Sequence, residues 1–199
     1  MSDEKFVMAG RVAGGTALDN ILQLLCHGDH LPRRVKDVRA SVSLDAAGNA
    51  ALQYIVDCPA HLMEIGYRKS PERLDNLWQT TCFELFVRRP DDAAYLEYNF
   101  APSGDWAHYA FSGYRADMPE PLTDGPVIEA RAQGNQYFVD VEFLLPPEYR
   151  CQKLQVAVTA IVEEAQSATS YWALAHGDGP ADFHDPACFI HEVTAAGKA

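Results

Sequence analysis

The stretch "TTCFELFVRR", residues 80–89, alternates between two rows of side chains. Residues of the same parity share a face of a β-strand, so Phe83, Leu85 and Val87 form an apolar row that belongs in a core. The opposite row centres on Glu84, and a carboxylate at that position is unusual in a strand that only covers a core. The stretch therefore predicts a strand with one core face and a second face that has another task.

The same period of two recurs along the rest of the chain, and no long window shows a helical period. Turn signals such as "DAAGN" and "PSGD" leave short links, which favour antiparallel pairing. A hairpin is expected within 37–57, and further strands are expected near 80–88, 94–100, 106–112, 127–132, 136–144, 154–163 and 171–175. About nine or ten strands without intervening helices predict a two-layer antiparallel β-sandwich of jelly-roll type. The segment 17–26 fits either a short helix or an edge strand.

Length and composition limit the possible classes of protein. The 199 residues, 48% hydrophobic and 22% charged, suit one globular domain over 1–199 with loose ends near 1–6 and 195–199. A net charge of −12 argues against nucleic acid and anionic membranes as partners. No run approaches the roughly 20 apolar residues of a membrane helix, and the first residues lack the apolar core of a signal peptide. We therefore expect a cytoplasmic protein, and the sequence leaves its oligomeric state open.

The five cysteines are scattered and form no C-x-x-C pair. Scattered cysteines without such a pair indicate neither a zinc site nor a redox-active pair, and free cysteines are commonly buried. We expect five reduced thiols.

Strand parity predicts which polar residues lie together on the second face. A six-residue loop after residue 88 would set Glu84 opposite Asn99, with Glu97 as a diagonal neighbour. Carrying the same pattern across "PSGD" places Trp106 and His108 on this face as well, and Tyr109 and Phe111 in the core. Carboxylates and an amide beside aromatic rings are typical of a pocket that orients a polar ligand.

Three longer stretches resemble a bacterial family of DOMON-like proteins, which is related to the family-nine carbohydrate-binding modules. They are "LWQTTCFELF", "YLEYNFAPSGDWAHYAFSGYR" and "YWALAHGDGPADFHDPACF", and the resemblance runs from about residue 35 to 191. It implies a jelly-roll β-sandwich with a ligand pocket on a concave sheet face, in a superfamily that includes sugar binders and b-type haem binders. It also makes Trp78 and Trp172 candidates for stacking on a sugar.

We therefore predict non-catalytic binding of a small polar ligand, with a carbohydrate as the expected class. The predicted ligand-binding residues are Trp78, Thr80, Glu84, Glu97, Asn99, Trp106, His108, Arg115, Trp172, His176 and His184. No cofactor is expected.

Three alternatives stay open at this point. Glu84 and Glu97 could act as the carboxylate pair of a saccharide-acting enzyme, although two strand glutamates more often serve hydrogen bonding. A haem would need axial ligands such as Met63 and His176, which nothing in the sequence makes neighbours. The run "HGDGPADFHD", residues 176–185, contains residue types that hold zinc or calcium, but its composition equally suits a turn.

Overall fold

The chain folds into two antiparallel sheets that pack on one shared core, which confirms the predicted two-layer β-sandwich. The computed structural model describes residues 20–68, 70–118, 124–150, 153–166 and 168–195. The five-stranded sheet runs β1 (Leu22–Gln23), β3 (Val38–Leu44), β4 (Asn49–Asp57), β10 (Gln136–Leu144), β9 (Val127–Gln133). The eight-stranded sheet runs β2 (Leu25–Cys26), β12 (Ala168–Ala173), β11 (Lys153–Glu164), β5 (Cys82–Arg88), β6 (Tyr95–Phe100), β7 (Trp106–Phe111), β8 (Asp117–Met118), and β13 (His191–Thr194) pairs with β11.

Four short 3₁₀ turns complete the regular structure of the described residues: Ala60–Leu62, Leu77–Gln79, Pro147–Tyr149 and Pro186–Cys188. The described part of the chain contains no helix long and apolar enough to cross a membrane. Among the cysteines, Cys26, Cys58, Cys82 and Cys188 are free thiols, and Cys151 lies outside the described residues.

The inner faces of the two sheets form the main core. On the eight-stranded sheet the inner row of β5 consists of Phe83, Leu85 and Val87, each at most 1% exposed, as the alternation predicts. The opposing sheet contributes Tyr54, whose ring packs on Phe83 and whose hydroxyl donates a 2.7 Å hydrogen bond to the Glu84 carbonyl. This bond joins the sheets at the strand that carries the candidate site.

The described part of the ambiguous segment 17–26 is extended. Leu22 pairs with Ala40 in the five-stranded sheet, whereas Cys26 pairs with Trp172 in the other. Between them Leu24 is 1% exposed. The chain therefore passes from the edge of one sheet to the edge of the other. The predicted loose ends, apart from residue 195, lie outside the described residues.

The pairing of β5 with β6 places Glu84 opposite Asn99, which confirms the predicted register. The predicted faces of β7 are wrong, because Phe100 pairs with Trp106 and Tyr98 pairs with His108. The five-residue hairpin 101–105 closes with Gly104 in the left-handed region, at a φ of 92°, and this odd loop length reverses the expected parity. Trp106 and His108 therefore lie on the inner side.

The outer face of the eight-stranded sheet is covered rather than open. Irregular chain between β12 and β13, residues 174–190, packs Phe183 and Phe189 against a second apolar cluster. Phe86 and Phe111 form the sheet side of this cluster. The outer face thus carries an apolar cluster with polar residues directly beside it, because Glu97 pairs with Phe86 and Thr159 pairs with Ala173.

Candidate functional site

Four polar side chains form a buried row on the outer face of β11, β5 and β6. Thr159 pairs with Glu84, which pairs in turn with Asn99. The Thr159 hydroxyl donates to Glu84 Oε2 at 2.9 Å, and Asn99 Nδ2 donates to Glu97 Oε1 at 2.8 Å. All four residues are at most 6% exposed. Asn99 Oδ1 has no hydrogen-bond partner among the described residues.

Burial shifts the pKa of one carboxyl group in the row, Glu84. Burial, with a smaller contribution from the charge of Glu97, raises the pKa of Glu84 to about 8, and the Thr159 hydrogen bond opposes this shift. Glu84 is therefore largely protonated at neutral pH, when its hydroxyl can donate a hydrogen bond.

Residues 174–190, called the covering segment below, contribute to a series of hydrogen bonds that reaches Glu97. The Tyr95 hydroxyl accepts the Arg115 backbone N–H at 3.1 Å and lies 2.7 Å from His184 Nδ1. Since that hydroxyl already accepts one hydrogen bond, its own proton is available for Nδ1, which leaves the His184 Nε2 proton directed toward Glu97. His184 Nε2 lies 3.6 Å from Glu97 Oε2. Asn99 and His184 thus hold the two oxygens of one carboxylate.

Asp182 binds Arg115 at the end of this series of hydrogen bonds that is farthest from Glu97. It accepts hydrogen bonds from Arg115 Nη2 at 2.8 Å and from the Tyr114 hydroxyl at 2.6 Å. Although burial acts to raise the pKa of Asp182, the bonds from Tyr114 and Arg115 lower it. Arg115, a predicted site residue, therefore holds the covering segment through its ion pair with Asp182, and about half of the Arg115 side chain is exposed.

A second segment meets the outer face from the side of β7. The Tyr109 hydroxyl donates to Asp75 Oδ1 at 2.9 Å, and Tyr109 is the pairing partner of Glu97. Burial, followed by the hydrogen bond to Asp75, raises the pKa of Tyr109. Trp78 follows on the 3₁₀ turn and is 47% exposed. Tyr109 is half-buried and provides an aromatic edge beside the polar row.

Three predicted site residues lie elsewhere in the structure. His108 stacks on Tyr98 with ring centroids 4.2 Å apart on the inner face, and burial lowers its pKa to about 4. Trp106 shares that inner parity, and its indole lies against the backbone of Gly125. Trp172 belongs to the main core, where its Nε1 donates to Ser170. None of the three indole or imidazole rings is part of the polar row.

His176 lies away from the row as well. Its Nε2 lies 2.8 Å from the Leu25 carbonyl oxygen, and its ring contacts His27 edge-on at 4.9 Å. Met63 pairs with Glu164 near one end of β11, whereas His176 follows Leu174, which bonds to Val158. Val158 and Glu164 are six residues apart on β11, which is roughly 20 Å along the strand. Met63 and His176 therefore do not form an axial pair for haem.

The histidines and aspartates of 176–185 do not converge on one point: Asp182 and His184 contact distant segments, whereas Asp185 serves a local contact. Asp185 accepts the Ala187 N–H at the start of a 3₁₀ turn, as a turn-forming role predicts. Among the described residues, no group of three or more His, Cys, Asp or Glu side chains is arranged to hold a metal ion.

A cleft of about 200 Å³ opens at the end of the eight-stranded sheet where β5 begins and β6 ends. Its walls come from the segments 64–68, 77–81 and 101–105. Thr80, a predicted site residue, lies on the wall and is exposed. The cleft shares no lining residue with the row of Thr159, Glu84, Asn99 and Glu97.

Several residues of the site were not predicted from the sequence. Thr159 had a detectable signal, because it interrupts the apolar run "VAVTAIV" at 156–162. Tyr109 was predicted to be a core residue and lies on the outer face because of the hairpin parity. Tyr95 and Asp75 carry no local signal, since their roles depend on contacts with distant segments.

The fold resembles solved structures of sugar-binding proteins. A proposed carbohydrate-binding protein from Bacteroides uniformis superposes with a TM-score of 0.61 at 12% identity, covering 89% of this chain and 86% of that one. A family 9 carbohydrate-binding module from Caldicellulosiruptor kristjanssonii, in complex with glucose, gives 0.57 at 11% identity, covering 89% and 86%. A family 9 module from the same organism, in complex with cellotriose, gives 0.56 at 11%, covering 89% and 84%. At this identity the similarity establishes the sandwich fold.

No family model and no curated relative matches the chain. The resemblance to DOMON-like proteins therefore stays a prediction.

Proposed function

We propose that the protein binds a small uncharged polar ligand, a saccharide, at the polar row on the outer face of the eight-stranded sheet. The observation that carries this proposal is the buried row of Glu84, Asn99 and Glu97. Burying two carboxyl groups costs free energy, and an apolar row would stabilise this face better. A row that costs stability is typical of a site kept for binding.

The chemistry of the row suits hydroxyl groups. A sugar hydroxyl can both donate and accept a hydrogen bond. The Asn99 amide oxygen has an unused acceptor position among the described residues, and Glu97 presents a carboxylate already oriented by Asn99. The half-buried ring of Tyr109 and the exposed indole of Trp78 add aromatic surface for the C–H faces of a sugar. The similarity to modules crystallised with glucose and cellotriose supports the same ligand class.

Calorimetric titration with mono- and oligosaccharides, including glucose and cellotriose, tests the proposal. Replacing Glu97 by Gln removes a charged acceptor and should weaken sugar binding by about 1–3 kcal/mol. Glu129→Gln, an exposed substitution on the edge strand β9, is the matched control and should bind as the wild type does. A sugar that binds Glu97→Gln as tightly as the wild type would contradict the placement of the site.

One observation favours a second candidate, an enzyme acting on a saccharide. The pKa of Glu84 is raised next to Glu97, and a pair of neighbouring carboxyl groups of which one has a raised pKa is the arrangement glycosidases use for acid and base catalysis. Incubation with a bound oligosaccharide followed by chromatography separates the two functions. Recovery of the unchanged sugar supports binding alone, and hydrolysis products would establish the enzyme.

A further inference from the structure

The strands at the edges of the two sheets differ in length. β1, β2 and β8 are two residues long and β13 is four, so each offers little backbone for pairing with another chain. β9 (Val127–Gln133) is seven residues long, and among the described residues it pairs only with β10. Its register with β10 is continuous, without a bulge, and it contains no proline or lysine. The features that commonly protect a free edge are therefore missing from β9.

The backbone groups on the free edge of β9 come from its even-numbered residues. The two-residue turn at 134–135 closes on the pair Gln133 and Gln136, which the hydrogen bond of a β-turn joins. Hydrogen-bonded and non-hydrogen-bonded pairs alternate along an antiparallel ladder, so the odd-numbered residues of β9 bond to β10. The N–H and C=O groups of Ile128, Ala130 and Ala132 therefore point to the free edge, where a further strand can bind them.

The core face of the five-stranded sheet continues uncovered onto β9. Ala130 pairs with Val139 and Ala132 pairs with Tyr137, so both alanines lie on the same face as these core residues. Both alanines are nevertheless exposed. A strand added beside β9 would extend the core face past them, and their small side chains would not obstruct its approach.

The two charges of β9 indicate what kind of strand fits there. Glu129 lies directly opposite Asp140, an unfavourable pair of like charges, and no described residue gives Glu129 an ion pair. Arg131, on the same face, binds Asp140. If a second copy of β9 pairs antiparallel about a two-fold axis at Ala130, Glu129 of each copy lies opposite Arg131 of the other. This is a non-hydrogen-bonded pair, in which side chains approach most closely.

We propose that the protein forms a two-fold dimer in which β9 pairs antiparallel with β9 of a second copy, with Ala130 at the axis. The two five-stranded sheets then continue as one sheet. The charges of β9 cancel, so the strand does not repel its own copy even though the chain carries a net charge of −12. The proposed sugar site lies on the other sheet and does not depend on this contact.

Sedimentation velocity of the full chain over a range of concentrations tests the dimer. The wild type should reach twice the mass of one chain. Glu129→Arg puts like charges at the contact, yet it places a cation opposite Asp140 within its own sheet, so the chain should stay folded. Its dimer dissociation constant should rise about tenfold or more, and Arg131→Glu should act in the same way. Glu142→Arg, the same change of charge on the neighbouring strand β10, is the matched control and should dimerise as the wild type does.

A mixture of the two charge-reversal variants tests the register. Glu129→Arg leaves only cations on β9 and Arg131→Glu leaves only anions, so the two proteins should form a mixed dimer about as tightly as the wild type dimerises. Ala130→Pro removes an N–H that faces the free edge, and it should abolish the dimer without changing the circular dichroism spectrum.

Three outcomes would overturn the proposal. A wild type that stays monomeric at every concentration means that a second copy does not occupy the edge. A dimer that Glu129→Arg and Ala130→Pro leave intact has its interface elsewhere. Charge-reversal variants that fail to pair with each other contradict the two-fold register at Ala130.

Discussion

The two faces of β5 are equally inaccessible to water, but they differ in what covers them. On the inner face, Phe83 and Leu85 meet the regular strands of a second sheet, and the whole row is apolar. On the outer face, Cys82, Glu84 and Phe86 lie beneath irregular chain and are at most 2% exposed. A second sheet covers its partner with apolar side chains, whereas the irregular segments contribute apolar rings and also hydrogen bonds to the outer face, as His184 does by contacting both Phe86 and Glu97.

The polar row on the outer face lowers the stability of the fold. The four-residue row of Thr159, Glu84, Asn99 and Glu97 replaces the packing that apolar side chains would supply. Its hydrogen bonds satisfy most of the buried polar atoms, as buried networks must. Substitutions on the inner face are therefore expected to change stability, and substitutions in the polar row are expected to change binding.

The largest expected effect is on the inner face. Phe83→Ala removes a fully buried ring and leaves a cavity between the sheets, so the free energy of unfolding should fall by about 3–5 kcal/mol. Urea denaturation followed by circular dichroism measures this change. Phe138→Ala, on the outward side of the five-stranded sheet, is the control and should cost clearly less. Equal losses for both would mean that the inner face is not the main core.

A change of opposite sign is expected for Glu84→Gln. Burial raises the pKa of Glu84 from 4.5 to about 8 on folding, so the folded state binds more protons than the unfolded state between these pH values. Stability therefore falls as pH rises from about 5 to 8, and the buried charge is most costly above pH 8.

Glutamine keeps an acceptor for Thr159 and carries no charge, so Glu84→Gln should raise the free energy of unfolding by a few kcal/mol at pH 8.5, at about 1.4 kcal/mol per pKa unit. At pH 4.5 the two proteins should differ little. Unfolding curves at both pH values measure the difference. A variant that is less stable than the wild type at pH 8.5 would show that the Glu84 charge is compensated.

The smallest effect on stability is expected at the exposed edge of the outer face. Trp78 is about half exposed on a 3₁₀ turn, so Trp78→Ala should change the unfolding free energy by about 0.5 kcal/mol or less. Trp172→Ala, which empties a core position, should cost several times more and serves as the contrast. Thermal unfolding of both variants, with glucose binding measured alongside, checks the assignment. Sugar affinity should fall for Trp78→Ala, and an unchanged affinity would remove Trp78 from the site.

The sequence predicted features that depend on alternation, and missed those that depend on turns and irregular chain. The parity of β5 and the pairing of Glu84 with Asn99 follow from period two and a loop length. The faces of His108 and Tyr109 depend on whether the 101–105 hairpin has an odd number of residues, which the turn at Gly104 decides. Local propensity leaves that choice open.

The covering segment shows why contacts made by irregular chain could not be predicted from the sequence. His184 reaches Glu97 and Tyr95 only because irregular chain at 174–190 folds back over the sheet. Such chain has no hydrophobic period, so its partners cannot be inferred from spacing. The resemblance of the stretch 171–189 made His184 a predicted site residue, but it did not indicate which groups His184 contacts.

The most direct test of the central claim is a sugar titration that observes both faces of the sheet at once. Side-chain NMR of the wild type with glucose can follow the Asn99 amide on the outer face and the Trp172 indole N–H on the inner face. We predict that the Asn99 signals shift and saturate with the titration, while the Trp172 signal stays in place. Saturable binding that leaves Asn99 unchanged would contradict the claim that the polar row recognises the ligand.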